Sequence, residues 1–306
     1  MQQTLATPIQ IAGTGLHSGL PARMRLCPAD ADHGLRFERV DLTEGERVIA
    51  VSPGNWVEAS LCTVLRNADG ASVSTVEHLL AALYGCGIHN LRIEIDGPEV
   101  PILDGSAAPF VRRILAAGVV ASDAPLNVLR VLRPVSVAQG DAYARLLPSD
   151  HLQMAFQIDF PDPAIGRQTR ALSLSNGAFL RELSDCRTFC MRRDVEAMQA
   201  NGLALGGSLD NAVVFDDGQV LSPGGLRRAD EPVRHKMLDA MGDLYVAGRP
   251  IIARYEGHKA GHALTGKLLR ALLADAGNFE LSPCTPADCA RLPGAHISKS
   301  DFSLSA

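Results

Sequence analysis

Two periods of apolar and polar residues run along this chain, and turn residues mark where one gives way to the other. Short alternating runs predict strands at residues 24–27, 34–38 and 47–52. A helix is expected from Ser74-Thr75-Val76-Glu77, which has capping-box spacing. It carries Leu79, Leu80 and Leu83 on one face, and Gly85 and Gly87 end it. A strand at 91–95, the turn-rich DGPEVPILDGSAAP and a helix at 110–117 come next. After a linker at 121–125 the pattern restarts, with strands at 128–132, 143–147 and 154–159. An insertion with a helix at 193–201 and a strand at 212–215 precedes a helix at 231–247, a strand at 251–255 and a helix at 263–276.

The two halves share an order of elements. In each, a helix closes on glycine, a strand and a loop follow, and a second helix ends on glycine, at Gly118 and Gly277. This weak internal repeat predicts an α+β fold of two similar domains, 1–124 and 125–306, with helices on one face of each sheet.

Composition narrows the class. Apolar residues make up 46% of 306 residues, enough for a sizeable core, and 21% charged residues do not suggest disorder. A net charge of −5 offers no basic field for nucleic acid. Seven cysteines, an odd number without a CxxC, argue against a disulfide framework and for a reducing compartment. The N-terminus lacks the basic and apolar regions of a signal peptide. Apolar stretches such as 79–88 fall well short of the roughly 20 residues that span a bilayer. A soluble cytoplasmic protein without stable membrane insertion is expected.

Candidate chemistry begins on the 231–247 helix. His235, Asp239 and Asp243 follow one another at four-residue spacing, opposite Val233, Met237, Ala240, Met241 and Leu244. The ordinary reading is a solvated stripe. Yet two mid-helix aspartates are poor helix formers and repel one another at i,i+4. A divalent metal on His235 and Asp239 would remove that conflict. His78 is the best third ligand, and Glu77 before it suits removal of a proton from metal-bound water. Glu77 also completes the capping box, and a side chain bent back to its cap cannot face a metal; both readings stand on spacing alone. His262 precedes a predicted helix, where an imidazolium needs a carboxylate such as Asp243. The His258–His262 pair is set aside as a zinc motif, because Gly257 and Gly261 interrupt any continuous helix there.

Taken together, TVEHLLAALYGCGIHNLRIEIDGPEVPILDGSAAPF, RTFC, VRHKMLDAMGDLYVAG, KAGHALTGKLL and the early GTGLHSG resemble the UDP-3-O-acyl-N-acetylglucosamine deacetylases. That family catalyses the committed step of lipid A synthesis in Gram-negative bacteria. The resemblance spans nearly the whole chain. It implies catalytic Zn2+, with ferrous iron as an alternative in the cell, on His78, His235 and Asp239. It implies Glu77 as general base, His262 as general acid backed by Asp243, and Thr188 at the oxyanion. Lys236 and Lys259 would meet the diphosphate and Phe160 the uracil, with Phe189 and Cys62 as further substrate contacts. The implied fold is two β-α-α-β domains with their helices packed between two sheets, each domain with an insert. The second insert, about 191–220, would form an acyl passage walled by Val195, Ala204, Leu209 and Ala212, residues that could equally be a closed core cluster. The implied partner is a small UDP-acylglucosamine acted on by a monomer, not a nucleic acid. A non-catalytic binder of nucleotide sugars or acyl chains is the alternative from another class. A peptide metalloamidase is disfavoured by the lack of HExxH.

Overall fold

The computed structural model describes residues 1–43, 45–59 and 61–303, without the side chains of Lys299 and Ser303. Its frame is a pair of five-stranded sheets. The first contains β1 (Ile9–Thr14), β2 (Pro21–Pro28), β3 (Leu35–Arg39), β4 (Val48–Ala50) and β5 (Leu91–Ile95), in the order β1-β2-β5-β3-β4. The second contains β6 (Val135–Gln139), β7 (Ala142–Leu147), β8 (Gln153–Asp159), β9 (Arg167–Ser173) and β10 (Arg254–His258), in the order β6-β7-β10-β8-β9. β5 runs antiparallel to β2 and parallel to β3, and β10 runs antiparallel to β7 and parallel to β8. The fold is α+β, and the repeat predicted from element order extends to strand order.

Alternation explains which face of each sheet is covered. Leu91, Ile93 and Ile95 of β5 point inward while Arg92 is exposed, and Met154, Phe156 and Ile158 do the same on β8. Helices cover those faces: α1 (Glu77–Gly85), α2 (Ala108–Ala117), α3 (Glu231–Tyr245) and α4 (His262–Leu273). Every residue of α1 is buried, as are all residues of α3 except Lys236. Leu79, Leu80 and Leu83 are completely buried, each worth about 1.5–3 kcal/mol relative to exposure.

α1 packs against α3, and α3 against α4. The crossing of α1 and α3 is close because Gly242 meets the backbone of Glu77; a Cβ there would collide with the Glu77 carbonyl oxygen. At the far end the Tyr84 and Tyr245 rings stack 4.3 Å apart. Tyr84 Oη accepts from Ile251 N, and Tyr245 Oη donates to the Ile88 carbonyl. Each half thereby binds the backbone that follows the other's helix.

Several sequence expectations shift. The strand expected at 251–255 is two strands: Ile251–Ile252 pairs with Asn127–Val131 in a small separate sheet, and only after Ala253 does β10 begin. α4 ends at Leu273 with Ala274 as its cap, so Gly277 lies in the 3-10 turn beyond it rather than at the helix end. The predicted capping box does not form. Ser74 ends a strand, Thr75 takes a positive φ of 57°, and Val76 caps α1 without a side-chain bond. That reversal at Thr75 carries Ser74 out of reach of the first turn. Among the described residues no helix is long and apolar enough to cross a membrane.

Candidate metal centre

Glu77 and His78 open α1, α3 presents His235, Lys236, Asp239 and Asp243, and His262 opens α4. Because α1 lies against α3, the polar stripe on α3 faces another helix and not water. His235, Asp239 and Asp243 are 2%, 4% and 3% exposed, which overturns the solvated-stripe reading.

Imidazole Nε2 atoms of His78 and His235 stand 3.4 and 3.2 Å from Asp239 Oδ1. One donor atom from each of these residues falls within 4.8 Å of the others. Asp239 Oδ2 accepts from Lys236 Nζ at 2.7 Å, whereas buried Oδ1 has no hydrogen-bond partner among the described residues. An unpaired buried carboxylate oxygen is costly. Between two imidazoles it is the natural place for a cation. His235 Nδ1 lies 3.0 Å from the Cys186 carbonyl, which can only accept; Nδ1 therefore carries the proton and leaves the Nε2 lone pair free. Burial pushes the His235 imidazole down to about 3 against the pull of Asp239, which keeps it neutral as a ligand must be. The donor set fits a divalent metal.

Around this trio sit further titratable groups. Glu77 Oε2 accepts from the Thr63 backbone N–H at 3.0 Å, so its carboxylate turns into the site rather than back on its helix. Burial pushes the Glu77 carboxyl above its ordinary range, with His262 and His78 opposing. His262 Nδ1 lies 2.9 Å from Asp243 Oδ2, and its Nε2 lies 3.9 Å from both Glu77 and Asp239. Burial works against its charge, but Asp243 and Glu77 outweigh burial and raise the imidazole to about 9. Thr63 Oγ1 also donates to Asp243, linking Glu77 and Asp243 through one residue.

A cavity of about 740 Å³ opens beside His235 and Lys236. Phe160, Thr188 and Phe189 line it near the metal trio, and the Phe160 and Phe189 rings meet edge-on at 5.3 Å. Val195, Ala204, Leu209 and Ala212 line the part formed by the insert, so they face open space and not a closed cluster. There the strand Phe189–Met191 pairs with Val213–Asp216, and the helix Arg192–Ala200 lies beside them. Two sequence-predicted contacts do not line this cavity. Cys62 is buried next to Thr63, its thiol pushed up to about 12 by burial and Glu77, and it does not line this cavity. Lys259 reaches Asp141 and Asp159 at 2.8 and 3.5 Å beyond the end of β10.

Sequence reading missed the groups that position this site. Glu231, the first residue of α3, is fully buried and accepts from Arg187 N and Nε and from Arg227 N. It thus ties the segment carrying Thr188, just before the strand Phe189–Met191, to the helix carrying His235. Glu99 accepts from His17 N, Ser18 N and Thr75 Oγ1, pinning GTGLHSG over the cavity, where buried His17 ring nitrogens lack partners among the described residues. Glu231 directly after Asp230 looks like ordinary helix-start acidity, and nothing in its spacing marks a buried pair.

A His₂Asp donor set with a carboxylate on one side and a carboxylate-backed imidazole on the other is the equipment of a metal-dependent hydrolase. A family model, "UDP-3-O-acyl N-acetylglycosamine deacetylase", matches residues 2–274. The chain belongs to that family. Proteins named UDP-3-O-acyl-N-acetylglucosamine deacetylase are similar to it: one from Phenylobacterium zucineum (strain HLK1) is 49% identical over 89% of this chain and 93% of its own. Another, from Stenotrophomonas maltophilia (strain R551-3), is 47% identical over 93% of this chain and 95% of its own. A third, from Myxococcus xanthus (strain DK1622), is 47% identical over 92% and 89%.

Proposed function

We propose that this chain hydrolyses the N-acetyl amide of UDP-3-O-(3-hydroxyacyl)-N-acetylglucosamine, releasing acetate in the committed step of lipid A synthesis. It acts as a cytoplasmic monomer on a small-molecule substrate, with Zn2+ on His78, His235 and Asp239. The observation that carries the reading is Asp239 Oδ1, buried between two imidazole nitrogens without a hydrogen-bond partner among the described residues. A zinc ion bound there supplies Lewis acidity and a water of lowered pKa.

Glu77 takes the proton of the attacking water, because its Oε2 is held by Thr63 and its carboxyl lies 3.9 Å from His262. Thr188 stabilises the oxyanion that develops on the acetyl carbonyl. Protonated His262, backed by Asp243, gives a proton to the departing sugar amine. Phe160 and Phe189 flank the nucleotide, and Lys236 and Lys259 meet the diphosphate. The apolar passage of the insert takes the O-linked acyl chain, which a nucleotide sugar without a lipid would leave empty.

Acetate release from the UDP-acylglucosamine, set against N-acetylated peptides, tests the substrate; preference for peptides would sink it. Glu77→Ala is expected to keep its metal and its fold while losing about 10²–10⁴-fold in turnover. If the metal leaves with the carboxylate, Glu77 is structural and not the base.

A further inference from the structure

Two of the seven cysteines form a pair at the start of the C-terminal segment. Cys284 follows the strand Phe279–Pro283, and its N–H donates to the Leu126 carbonyl. Thr285 then caps a one-turn helix, Pro286–Cys289, through a reciprocal capping box with Asp288, whose carboxylate also accepts from Arg130. This capped turn places Cys289 Sγ 2.6 Å from Cys284 Sγ. Both residues are partly open to solvent, while Cys27, Cys62, Cys86 and Cys186 are buried. Cys190 is partly open too, but it lies in the acyl cavity.

We propose that Cys284 and Cys289 form an oxidisable dithiol, a modification site separate from the metal centre. A hydroperoxide serves as the oxidant. Cys289 sulfur attacks the peroxide, breaking its O–O bond, and becomes a sulfenic acid while the other oxygen leaves as water or an alcohol. Cys284 sulfur then displaces the sulfenic oxygen as water and forms the S–S bond. The two thiols give up two electrons and two protons, and the peroxide takes both pairs. Burial and Cys289 push the Cys284 thiol up to about 12, so Cys284 is the second sulfur to react.

The bond would staple the first turn of a segment that packs Gly294 against Gly87 and pairs Asp301 with Arg181. Oxidation is therefore expected to slow proteolysis after residue 284.

Reduced full-length protein treated with hydrogen peroxide, then denatured and alkylated, gives a direct readout by mass spectrometry. Two of the seven thiols should become unreactive, with the loss of two hydrogen masses and a crosslink joining Cys284 to Cys289 within one chain. Dithiothreitol should restore both. Cys284→Ser and Cys289→Ser should each abolish the crosslink, and Cys190→Ser should leave it intact. Retention of all seven thiols, closure of a different pair, a crosslink between chains, or passage of Cys289 to sulfinic acid without a crosslink would each overturn the proposal.

Discussion

In the first half of the molecule β5 lies between β2 and β3, and α1 crosses the inner face; in the second half β10 lies between β7 and β8, and α3 crosses in the same way. The tyrosine exchange makes the two halves mutual, with Tyr84 on Ile251 and Tyr245 on Ile88. Their chemical loads differ. The first half supplies Glu77, His78 and Thr63, all where the chain enters or meets α1. The second supplies His235, Lys236, Asp239 and Asp243 along three turns of α3, and His262 at the start of α4. α2, the counterpart of α4, ends partly exposed and brings no titratable group to the trio. With Tyr84 matched to Tyr245, Asp239 falls where the first half has His78 and Asp243 where it has Ala82, so both copies place a polar group at the first position and only the second extends the stripe by a further turn. Burial between the halves then lowers the His235 imidazole, while Asp243 and Glu77 outweigh burial at His262.

The lopsidedness can be tested, most strongly at the ligand that touches both halves. Asp239→Ala is expected to lose bound metal and with it all measurable acetate release, read by elemental analysis beside the assay. A variant that keeps one metal per chain would show that the first half holds the ion by other means. Thr188→Val is expected to lower kcat by about 10²–10³-fold with KM little changed; an equal rise in KM would make Thr188 a binding contact. Gly242→Ala drives a methyl group into the Glu77 backbone and should cost about 1–3 kcal/mol in urea unfolding, since the α1–α3 crossing has no slack.

The smallest effect concerns a place where the repeat is broken. By the tyrosine exchange Ile88 matches Ile251, so His89 stands where the second half has Ile252. Its Nδ1 accepts from Gln3 N, and burial pushes the imidazole down to about 3. Below its ordinary pKa the unfolded chain gains a proton that the folded chain refuses, so stability falls as pH drops from 6.5 toward 3. The loss is at most about 1.4 kcal/mol per pH unit. Unfolding at pH 6.5 and 5.5 should show a smaller drop for His89→Gln than for the parent; identical drops would clear His89 of this role.

Much of the frame was legible beforehand. β5 and β8 alternate cleanly because one face is wet, and the positions of α1 and α3 follow from apolar spacing. The strand at 251–255 was misread because a continuous apolar run cannot reveal that its two ends join different sheets. Glu77 could be read as a cap because Ser-x-x-Glu spacing ignores the backbone, and the positive φ at Thr75 decided the matter. Glu231 and Thr63 were invisible, since each acts on residues far away in sequence.

The sequence by itself determined that His235, Asp239 and Asp243 share one side of a helix, because the helical period is a property of the backbone. It also determined the family, through long ordered motifs. Only the tertiary structure decided that this side is dry, that Asp239 Oδ1 has no hydrogen-bond partner among the described residues, and that Glu77 turns toward His262. Those outcomes depend on a second helix arriving from a different part of the chain, and they arise when water is excluded between the two.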